Sequence, residues 1–186
     1  MDRFDLTTAN SLVLAVDLQE RFQAAIPSIA PGGTVAKAAR LLLEGAKLLN
    51  VPTLISEQYP KGLGPTLPLL REVQPEASVF AKTHFSCYDD PTLNQLFSEE
   101  PRSHVILCGV EAHVCLLATM ADLLSHGKWV VVAADAVDSR NPQHRDWALS
   151  AMRDLGALVL PVESILFRWQ RQAGGATFKA LSNLVK

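Results

Sequence analysis

One cysteine of this chain lies where a reactive thiol is expected. Cys115 falls within residues 104–124, HVILCGVEAHVCLLATMADLL, which predict a buried strand, a short turn and an amphipathic helix. A thiol at the start of a helix lies near the positive end of the helix dipole, which favours the thiolate. Cys115 is therefore a candidate nucleophile. The alternative is a small core residue, since free cysteines are among the most buried residues of proteins.

Two charged residues at the ends of other predicted strands are candidate partners of this thiol. Asp17 follows the apolar run SLVLAV, and Lys82 ends a short strand that begins at Ser78. A carboxylate can take the proton of a thiol, and an ammonium group beside it favours the thiolate. The alternatives are a turn-forming or helix-capping role for Asp17 and a solvated charge for Lys82.

Strands and helices alternate along the chain, which predicts an α/β fold. We expect a single domain spanning residues 1–186, a three-layer α/β/α sandwich around a six-stranded parallel sheet in the Rossmann-like order 3-2-1-4-5-6. Strands 1 and 4 are then neighbours, and ligands bind in the crevice outside their carboxyl ends. Asp17 and Cys115 face each other across this crevice, and Lys82 extends toward it from strand 3.

Apolar residues at helical spacing predict which helix faces are buried. In the helix after strand 4 the predicted core face consists of Val114, Leu117, Ala118, Ala121 and Leu124. In the helix that begins at Pro142 it consists of Trp147, Ala148, Ala151, Met152 and Leu155. Residues 57–68, rich in proline and glycine, predict a long surface loop that is either a lid, an interface segment or a packed connector. Residues 135–140 predict a polar loop.

Composition excludes several classes of partner. The net charge of −2 gives no reason to expect nucleic acid. The N-terminus has no apolar signal core, and the longest apolar runs are strand-sized, far below the roughly 20 residues of a membrane span. We therefore expect a cytoplasmic protein without a membrane partner. The three cysteines, Cys87, Cys108 and Cys115, show no metal or disulfide spacing, which fits a reducing compartment.

A nucleotide cofactor is also not expected. The glycine-rich dinucleotide fingerprint is missing after strand 1, where the chain reads DLQERF, and no phosphate-binding loop motif occurs.

Several segments together resemble the isochorismatase-like cysteine hydrolases, a family that includes nicotinamidases and related amidohydrolases. The similar segments cover residues 11–168, and SEQYPKGLGPT is further similar to a branch of small isochorismatase-domain proteins with mostly unassigned substrates. The segments that carry the resemblance are LVLAVDLQERF, VFAKTHFSCY, LCGVEAHVCLLATMADLLSHG, VVVAADAVDSR and ALSAMRDLGA.

The resemblance implies a role for each candidate residue. Cys115 is the expected nucleophile, Asp17 the general base and Lys82 the third catalytic member, and the reaction passes through a thioester. The resemblance also implies a cis peptide bond between Val110 and Glu111. The backbone N–H groups of Glu111 and Cys115 are then expected to form an oxyanion hole. A homo-oligomer, dimer or tetramer, is a further expectation from the family.

The chain departs from the family pattern at two places. Metal-using nicotinamidases carry Asp-x-His after strand 2, whereas this chain reads Ser56-Glu57-Gln58-Tyr59. We therefore expect no catalytic metal, no other cofactor and a substrate other than nicotinamide. Position 111 is often small in the family, but here it is Glu111, which either raises the pKa of the nearby thiol or points away into an interface.

These observations predict a cysteine-dependent hydrolase of a small amide or related acyl compound, since cleavage of a vinyl ether such as isochorismate requires no thiol. The candidate substrate contacts are Phe22, Tyr59 and Phe85, each near a predicted strand end and each equally suited to packing. One alternative is a non-catalytic interaction protein that retains the hydrolase fold. Another is a thiol redox sensor, for which no resolving cysteine is evident because Cys108 is predicted to be buried in strand 4.

Overall fold

The centre of the molecule is a parallel sheet of six strands in the order β3-β2-β1-β4-β5-β6, as the alternating pattern predicts. The computed structural model describes residues 4–186. The strands are β1 (Ser11–Val16), β2 (Thr53–Gln58), β3 (Ser78–Lys82), β4 (His104–Val110), β5 (Trp129–Asp138) and β6 (Leu158–Leu160). Every residue of β1 and β4 is buried because helices cover both faces of the sheet.

Helices connect the strands, and proline or a polar cap marks several of their starts. Asp90 accepts hydrogen bonds from the backbone N–H groups of Thr92 and Leu93 at the start of α4, and Asn141 accepts one from Gln143 at the start of α6. Aspartate and asparagine are among the residue types preferred at this position. The helices are α1 (Thr34–Leu48), α2 (Pro60–Leu63), α3 (Pro68–Val73), α4 (Pro91–Glu99), α5 (Leu117–Ser125), α6 (Pro142–Asp154), α7 (Val162–Gln170) and α8 (Gly175–Leu184). Short 3₁₀ turns span Glu20–Ala24 and Pro27–Ile29.

Two hydrophobic cores lie on opposite faces of the sheet. Alternate residues of β1 enter them, since Val13 and Ala15 pack on one side and Leu12 and Leu14 on the other. The first core holds residues of α1, α7 and α8, and the second holds residues of α4, α5 and α6. This arrangement is the predicted three-layer sandwich. In the part of the chain that the structure describes, no helix is both long and apolar enough to cross a membrane.

The segment 57–68 is a connector held in place by hydrogen bonds rather than a free loop. It contains the end of β2, all of α2 and the first residue of α3. Glu57 Oε1 accepts hydrogen bonds from the backbone N–H and the hydroxyl of Thr66, both at 2.7 Å. Gln19 Nε2 donates to the carbonyls of Gln58 and Gly64 at 3.0 and 2.7 Å. Of the three roles that the sequence leaves open for this segment, the packed connector fits these contacts best.

The predicted polar loop at 135–140 begins later than expected. Strand β5 continues to Asp138, because after a register shift between Leu107 and Gly109 the end of β4 pairs with Val137 and Asp138. The loop after β5 therefore starts at Ser139 and lies next to the end of β4.

The predicted buried faces of two helices are partly wrong. After β4 the predicted Val114, Leu117 and Leu124 are partly buried against the second core, whereas Ala121 is exposed. The fully buried residues are Ala112, Cys115, Leu116, Thr119, Met120 and Leu123. A π-helical turn over Ala112–Leu116 precedes α5 and holds more residues per turn than an α-helix, so it rotates every later residue. In α6, Ala148 and Met152 are buried as predicted, but Trp147 and Leu155 are 60% and 58% exposed.

Candidate active site

Asp17 lies at the carboxyl end of the central strand β1. Its backbone N–H donates to the carbonyl of Ser56 at 3.1 Å, and the residue adopts a positive φ of 54°. That conformation is uncommon outside glycine, although aspartate tolerates it better than most residues. Because β1 pairs with both β2 and β4, the carboxylate is placed between the ends of these two strands. Its side chain is fully buried.

Lys82 at the end of β3 holds one oxygen of this carboxylate. Its Nζ lies 2.8 Å from Asp17 Oδ2, and both side chains are excluded from solvent. The ammonium group also donates to Gln58 Oε1 at 2.6 Å and to the carbonyls of His84 and Phe85, both at 3.2 Å. An ammonium group has three N–H donors, and these four acceptors occupy all of them. Lys82 is therefore a fixed cation.

The charged neighbours of Lys82 keep it protonated. Burial lowers the pKa of Lys82, but Asp17 and the thiols of Cys87 and Cys115 raise it, so that the net shift is upward. A buried cation of this kind requires a buried anion, which Asp17 supplies.

Ser56 holds the second oxygen of the Asp17 carboxylate. Its hydroxyl donates to Asp17 Oδ1 at 2.7 Å, and both residues are fully buried. The carboxylate thus has a cation on one oxygen and a neutral donor on the other, which fixes its plane.

Cys115 lies in the π-helical turn after β4, with 6% of its surface exposed. Burial raises the pKa of this thiol well above its ordinary value, and a hydrogen-bonding contact with the Asp17 carboxylate, together with its charge, raises it further. Lys82 lowers the pKa, but by less. Lys82 thus favours the thiolate as predicted, but burial and Asp17 outweigh it, so the net shift favours the protonated thiol. The charged group in contact with this thiol is the Asp17 carboxylate.

The turn between β4 and Cys115 contains the cis peptide bond that the resemblance implies, between Val110 and Glu111. The preceding Gly109 has a φ of 127°, and a Cβ there would overlap the carbonyl oxygen of Val16. Only glycine allows β1 and β4 to approach this closely, which brings Asp17 near the turn that carries Cys115.

Glu111 forms a second acid–cation pair beside the nucleophile. The carboxylate of Glu111 accepts from the backbone N–H of Arg140 at 2.8 Å and from its Nε at 3.0 and 3.1 Å. Glu111 is 7% exposed at its side chain and Arg140 is 63% exposed. The groups that raise the pKa of the Cys115 thiol are Asp17 and Cys87, in addition to burial, rather than Glu111.

The structure adds Cys87, which sequence reasoning did not assign to the site. Cys87 is fully buried, and its backbone N–H donates to Thr119 Oγ1 at 2.9 Å, one helical turn beyond Cys115. Burial and then the Asp17 charge raise the pKa of Cys87 to about 11. The sequence feature that could have identified Cys87 is its position five residues after Lys82, inside the segment VFAKTHFSCY.

The candidate substrate contacts lie in different surroundings. Phe22 is half-buried and packs against the first hydrophobic core. The side chains of Tyr59 and Phe85 are 55% and 60% exposed. Both backbones contact Lys82, since the Tyr59 N–H donates to the Lys82 carbonyl at 2.8 Å and the Phe85 carbonyl accepts from Lys82 Nζ at 3.2 Å.

Within residues 4–186, no group of three or more histidine, cysteine, aspartate or glutamate side chains is arranged to hold a metal ion. Gln58, the last residue of β2 and part of the stretch that lacks the Asp-x-His pattern, accepts a hydrogen bond from Lys82. His113 Nδ1 pairs with Ser139 Oγ at 2.9 Å, and the ring of His113 lies 4.8 Å from that of His144.

Comparison with solved structures shows the same fold. A structure described as MAR1 ribonuclease from Caenorhabditis elegans superposes with a TM-score of 0.86 at 34% identity, covering 96% of this chain and 91% of that one. YcaC from Pseudomonas aeruginosa, described with hexane-2,5-diol and covalent acrylamide, also gives 0.86, at 24% identity over 97% and 95% of the two chains. Nicotinamidase PncA from Bacillus subtilis gives 0.68 at 18% identity, covering 81% of this chain and 99% of that one.

Sequence comparison places the chain in one family. Isochorismatase domain-containing protein 2 of Danio rerio is 37% identical over 182 residues, which cover 97% of this chain and 89% of the relative. The family model described as "Isochorismatase domain" matches residues 11–164. The chain belongs to the isochorismatase family.

Proposed function

We propose that this protein is a cysteine-dependent hydrolase of a small amide or related acyl compound. The observation that carries the proposal is the buried cluster of Cys115, Asp17 and Lys82, in which a protonated thiol contacts a carboxylate held by a fixed cation. A thiol, a base and a positioned cation are the groups that acyl transfer through a thioester requires.

In the first half of the proposed reaction, Asp17 accepts the proton of Cys115 as the sulfur attacks the carbonyl carbon of the amide. The C–N bond then breaks, and Asp17 returns this proton to the departing nitrogen, so that ammonia or an amine leaves and a thioester remains. General acid–base catalysis of this kind contributes about 10²–10⁴-fold to a rate.

In the second half, Asp17 accepts a proton from water while the water oxygen attacks the thioester carbon. The C–S bond breaks, a carboxylic acid is released, and the proton from Asp17 returns to sulfur. Because all three N–H groups of Lys82 are already engaged, its role is to hold Asp17 and to stabilise negative charge on sulfur. The backbone N–H groups of Glu111 and Cys115 are the proposed donors to the developing oxyanion.

The proposed substrate is small. Cys115 is only 6% exposed, which favours a compact amide over a polymer. The YcaC structure carries covalent acrylamide, and other neighbours in fold are nicotinamidases. Phe22, Tyr59 and Phe85 stay the proposed contacts, no metal or other cofactor is proposed, and neither nucleic acid nor a membrane is a proposed partner.

We further propose a homo-oligomer in the cytoplasm. Exposed Trp147 lies beside His144, Leu117 and His113 around an apolar depression of about 310 Å³, a surface suited to self-association. A fold neighbour, YcaC of Escherichia coli, is described as octameric. The cytoplasmic location is supported by the three free cysteines, although one relative, from Phytophthora sojae, is called a secreted effector.

The test is ammonia release from a panel of small primary amides by the purified protein. We expect turnover of at least one amide, its loss in Cys115→Ala, and its retention in Cys108→Ala, which removes a buried thiol of β4 away from the site. RNA is included in the panel because one fold neighbour is described as a ribonuclease. The proposal fails if no amide is turned over, or if Cys115→Ala retains the turnover.

A thiol redox role is a second candidate because Cys87 supplies a buried thiol near Cys115. Peroxide would convert the Cys115 thiol to a sulfenic acid and water, and attack by the Cys87 sulfur would give a disulfide and a second water. Mass spectrometry after peroxide treatment tests this role. A protein whose Cys115 stays unmodified is not a redox sensor.

A further inference from the structure

Behind the candidate nucleophile lies a line of four buried polar side chains, three of which the proposed reaction does not use. It runs from Asp17 through Ser56 and Cys87 to Thr119, and each of these residues is completely buried. Burying a polar side chain is costly unless it is hydrogen-bonded, so four such residues in contact need an explanation.

Ser56 makes the contact with the base itself. Its hydroxyl donates to Asp17 Oδ1 at 2.7 Å, while Lys82 holds Oδ2 at 2.8 Å. The single hydrogen of this hydroxyl is committed to Asp17. The thiol of Cys87 lies close to the same hydroxyl and to that of Thr119, and both contacts lower the pKa of Cys87, although burial and the Asp17 charge outweigh them.

Thr119 connects this line to the helix that carries the nucleophile. Its Oγ1 accepts from the backbone N–H of Cys87 at 2.9 Å, and it follows Cys115 by four residues, on the same side of the helix. The loop that holds Cys87 also supplies two of the four acceptors of Lys82, the carbonyls of His84 and Phe85. One set of contacts therefore links the base, the cation and the nucleophile helix.

We infer that Ser56 is a positioning residue, supported by Cys87 and Thr119, that orients Asp17 toward the thiol of Cys115. The inference rests on the proposed hydrolase function. Ser56 fixes the plane of the Asp17 carboxylate and disperses part of its negative charge. The ionisable groups around Asp17 are Lys82 from β3, Cys87 from the loop after β3, and Cys115 from the turn after β4.

The chain offers a matched control for the test. Thr53 lies three residues before Ser56 on β2, and its Oγ1 is buried without a hydrogen-bond partner in the described part of the chain. Ser56→Ala and Thr53→Val each delete one buried hydroxyl from the same strand with little change in shape. Only the first removes a contact with Asp17.

We expect Ser56→Ala to lower kcat about tenfold on an amide from the panel with KM unchanged, because Ser56 orients the base without contacting substrate. Thr53→Val leaves both parameters unchanged, and Ser56→Thr, which keeps the hydroxyl, restores most of kcat. Thermal unfolding of each variant shows that the protein measured is folded. Equal kcat values for Ser56→Ala and Thr53→Val, or no rescue by a folded Ser56→Thr, overturn the inference.

Alkylation of Cys115 by iodoacetamide provides a measurement that needs no substrate. Without the Ser56 donor, the Asp17 charge that raises the pKa of Cys115 is less dispersed, so we expect the rate–pH profile to move to higher pH in Ser56→Ala. The profile of Thr53→Val coincides with that of the natural protein. If no amide is turned over but this shift is seen, the hydrolase function is wrong and the positioning contact is real. If the rate–pH profiles of Ser56→Ala and Thr53→Val both coincide with that of the natural protein, the positioning contact itself is refuted.

Discussion

Two acid–cation pairs flank the candidate nucleophile, and they differ in nearly every physical respect. Asp17 and Lys82 are joined at 2.8 Å with both side chains fully buried, and every N–H of Lys82 is engaged. Glu111 and Arg140 are joined at 3.0 Å, but the Arg140 side chain is 63% exposed. The first pair is part of the interior, and the second lies at its boundary with solvent.

The difference shows which pair controls the chemistry of the thiol. Coulomb interactions are strong where water is excluded and weak where a charge is solvated. Accordingly, Asp17 raises the pKa of Cys115 and Lys82 lowers it, whereas Glu111 is neutralised locally by Arg140. An ion pair at the edge of a site can be mutated at little cost in stability. In a buried ion pair, both residues must be kept or both must be replaced together.

The largest effect is expected from breaking the buried pair. Lys82→Met leaves the Asp17 carboxylate without its cation in the interior, which we expect to destabilise the protein by about 3–5 kcal/mol. The double variant Asp17→Asn with Lys82→Met removes both charges and recovers most of that loss. Urea unfolding measures both values.

The control for this comparison is Arg40→Met, which breaks an exposed pair with Glu44 along α1. Its expected cost is about 0.3–0.5 kcal/mol, as for other exposed pairs along a helix. A cost of similar size for Lys82→Met would contradict the view that the Asp17–Lys82 pair is part of the interior.

The next effect separates the two carboxylates by their influence on Cys115. Asp17→Asn removes the proposed base, so amide turnover falls by about 10²–10⁴-fold. It also removes the charge that raises the pKa of the thiol while Lys82, which lowers it, remains. The iodoacetamide rate–pH profile of Cys115 is therefore expected to move to lower pH, so that alkylation speeds up at neutral pH while turnover is lost.

Glu111→Gln is the matched carboxylate control, since Glu111 is not among the groups that shift the pKa of this thiol. Its alkylation profile should coincide with that of the natural protein. Slower alkylation in Asp17→Asn would mean that the carboxylate activates the thiol at rest, and the assignment of Cys115 as a resting thiol would be wrong.

The sequence predicted the fold and the meeting of Asp17, Lys82 and Cys115 because both depend on strand order. Continuous apolar strands that alternate with helices admit few topologies, and residues at the carboxyl ends of neighbouring strands then meet. The shared segments of the family supplied the cis bond at Val110–Glu111, which no local sequence rule indicates.

The details that the sequence missed depend on tertiary contacts. The π-helical turn that holds Cys115 also rotates α5, which is why Ala121, predicted to lie on the core face, is exposed. The raised pKa of Cys115 follows from burial and from Asp17, whereas the helix position alone suggested a thiolate. Ser56 and Cys87 are ordinary residues in the sequence, and only packing brings them to the base.

The smallest expected effect is the response of the two pairs to salt. We expect Arg140→Ala to cost about 1 kcal/mol or less, because the backbone N–H of residue 140 still donates to Glu111 after the guanidinium is gone. A double-mutant cycle with Glu111→Gln and Arg140→Ala isolates the energy of the pair. Since Arg140 is largely solvated, this energy should shrink when salt is raised from about 0.15 M to about 1 M, as the Debye length falls from about 8 Å to about 3 Å.

The same cycle on Asp17 and Lys82 should be insensitive to salt, since ions do not enter a site in which both side chains are fully buried. A Glu111–Arg140 energy that does not change with salt would mean that the exposed face of Arg140 is covered in solution. The contrast between the two pairs would then hold only for the isolated chain. Because a second copy of the chain is the proposed partner, the cycle should be repeated at protein concentrations above and below the dissociation constant of the oligomer. A salt response that is seen only in the dilute sample assigns Arg140 to the interface between copies.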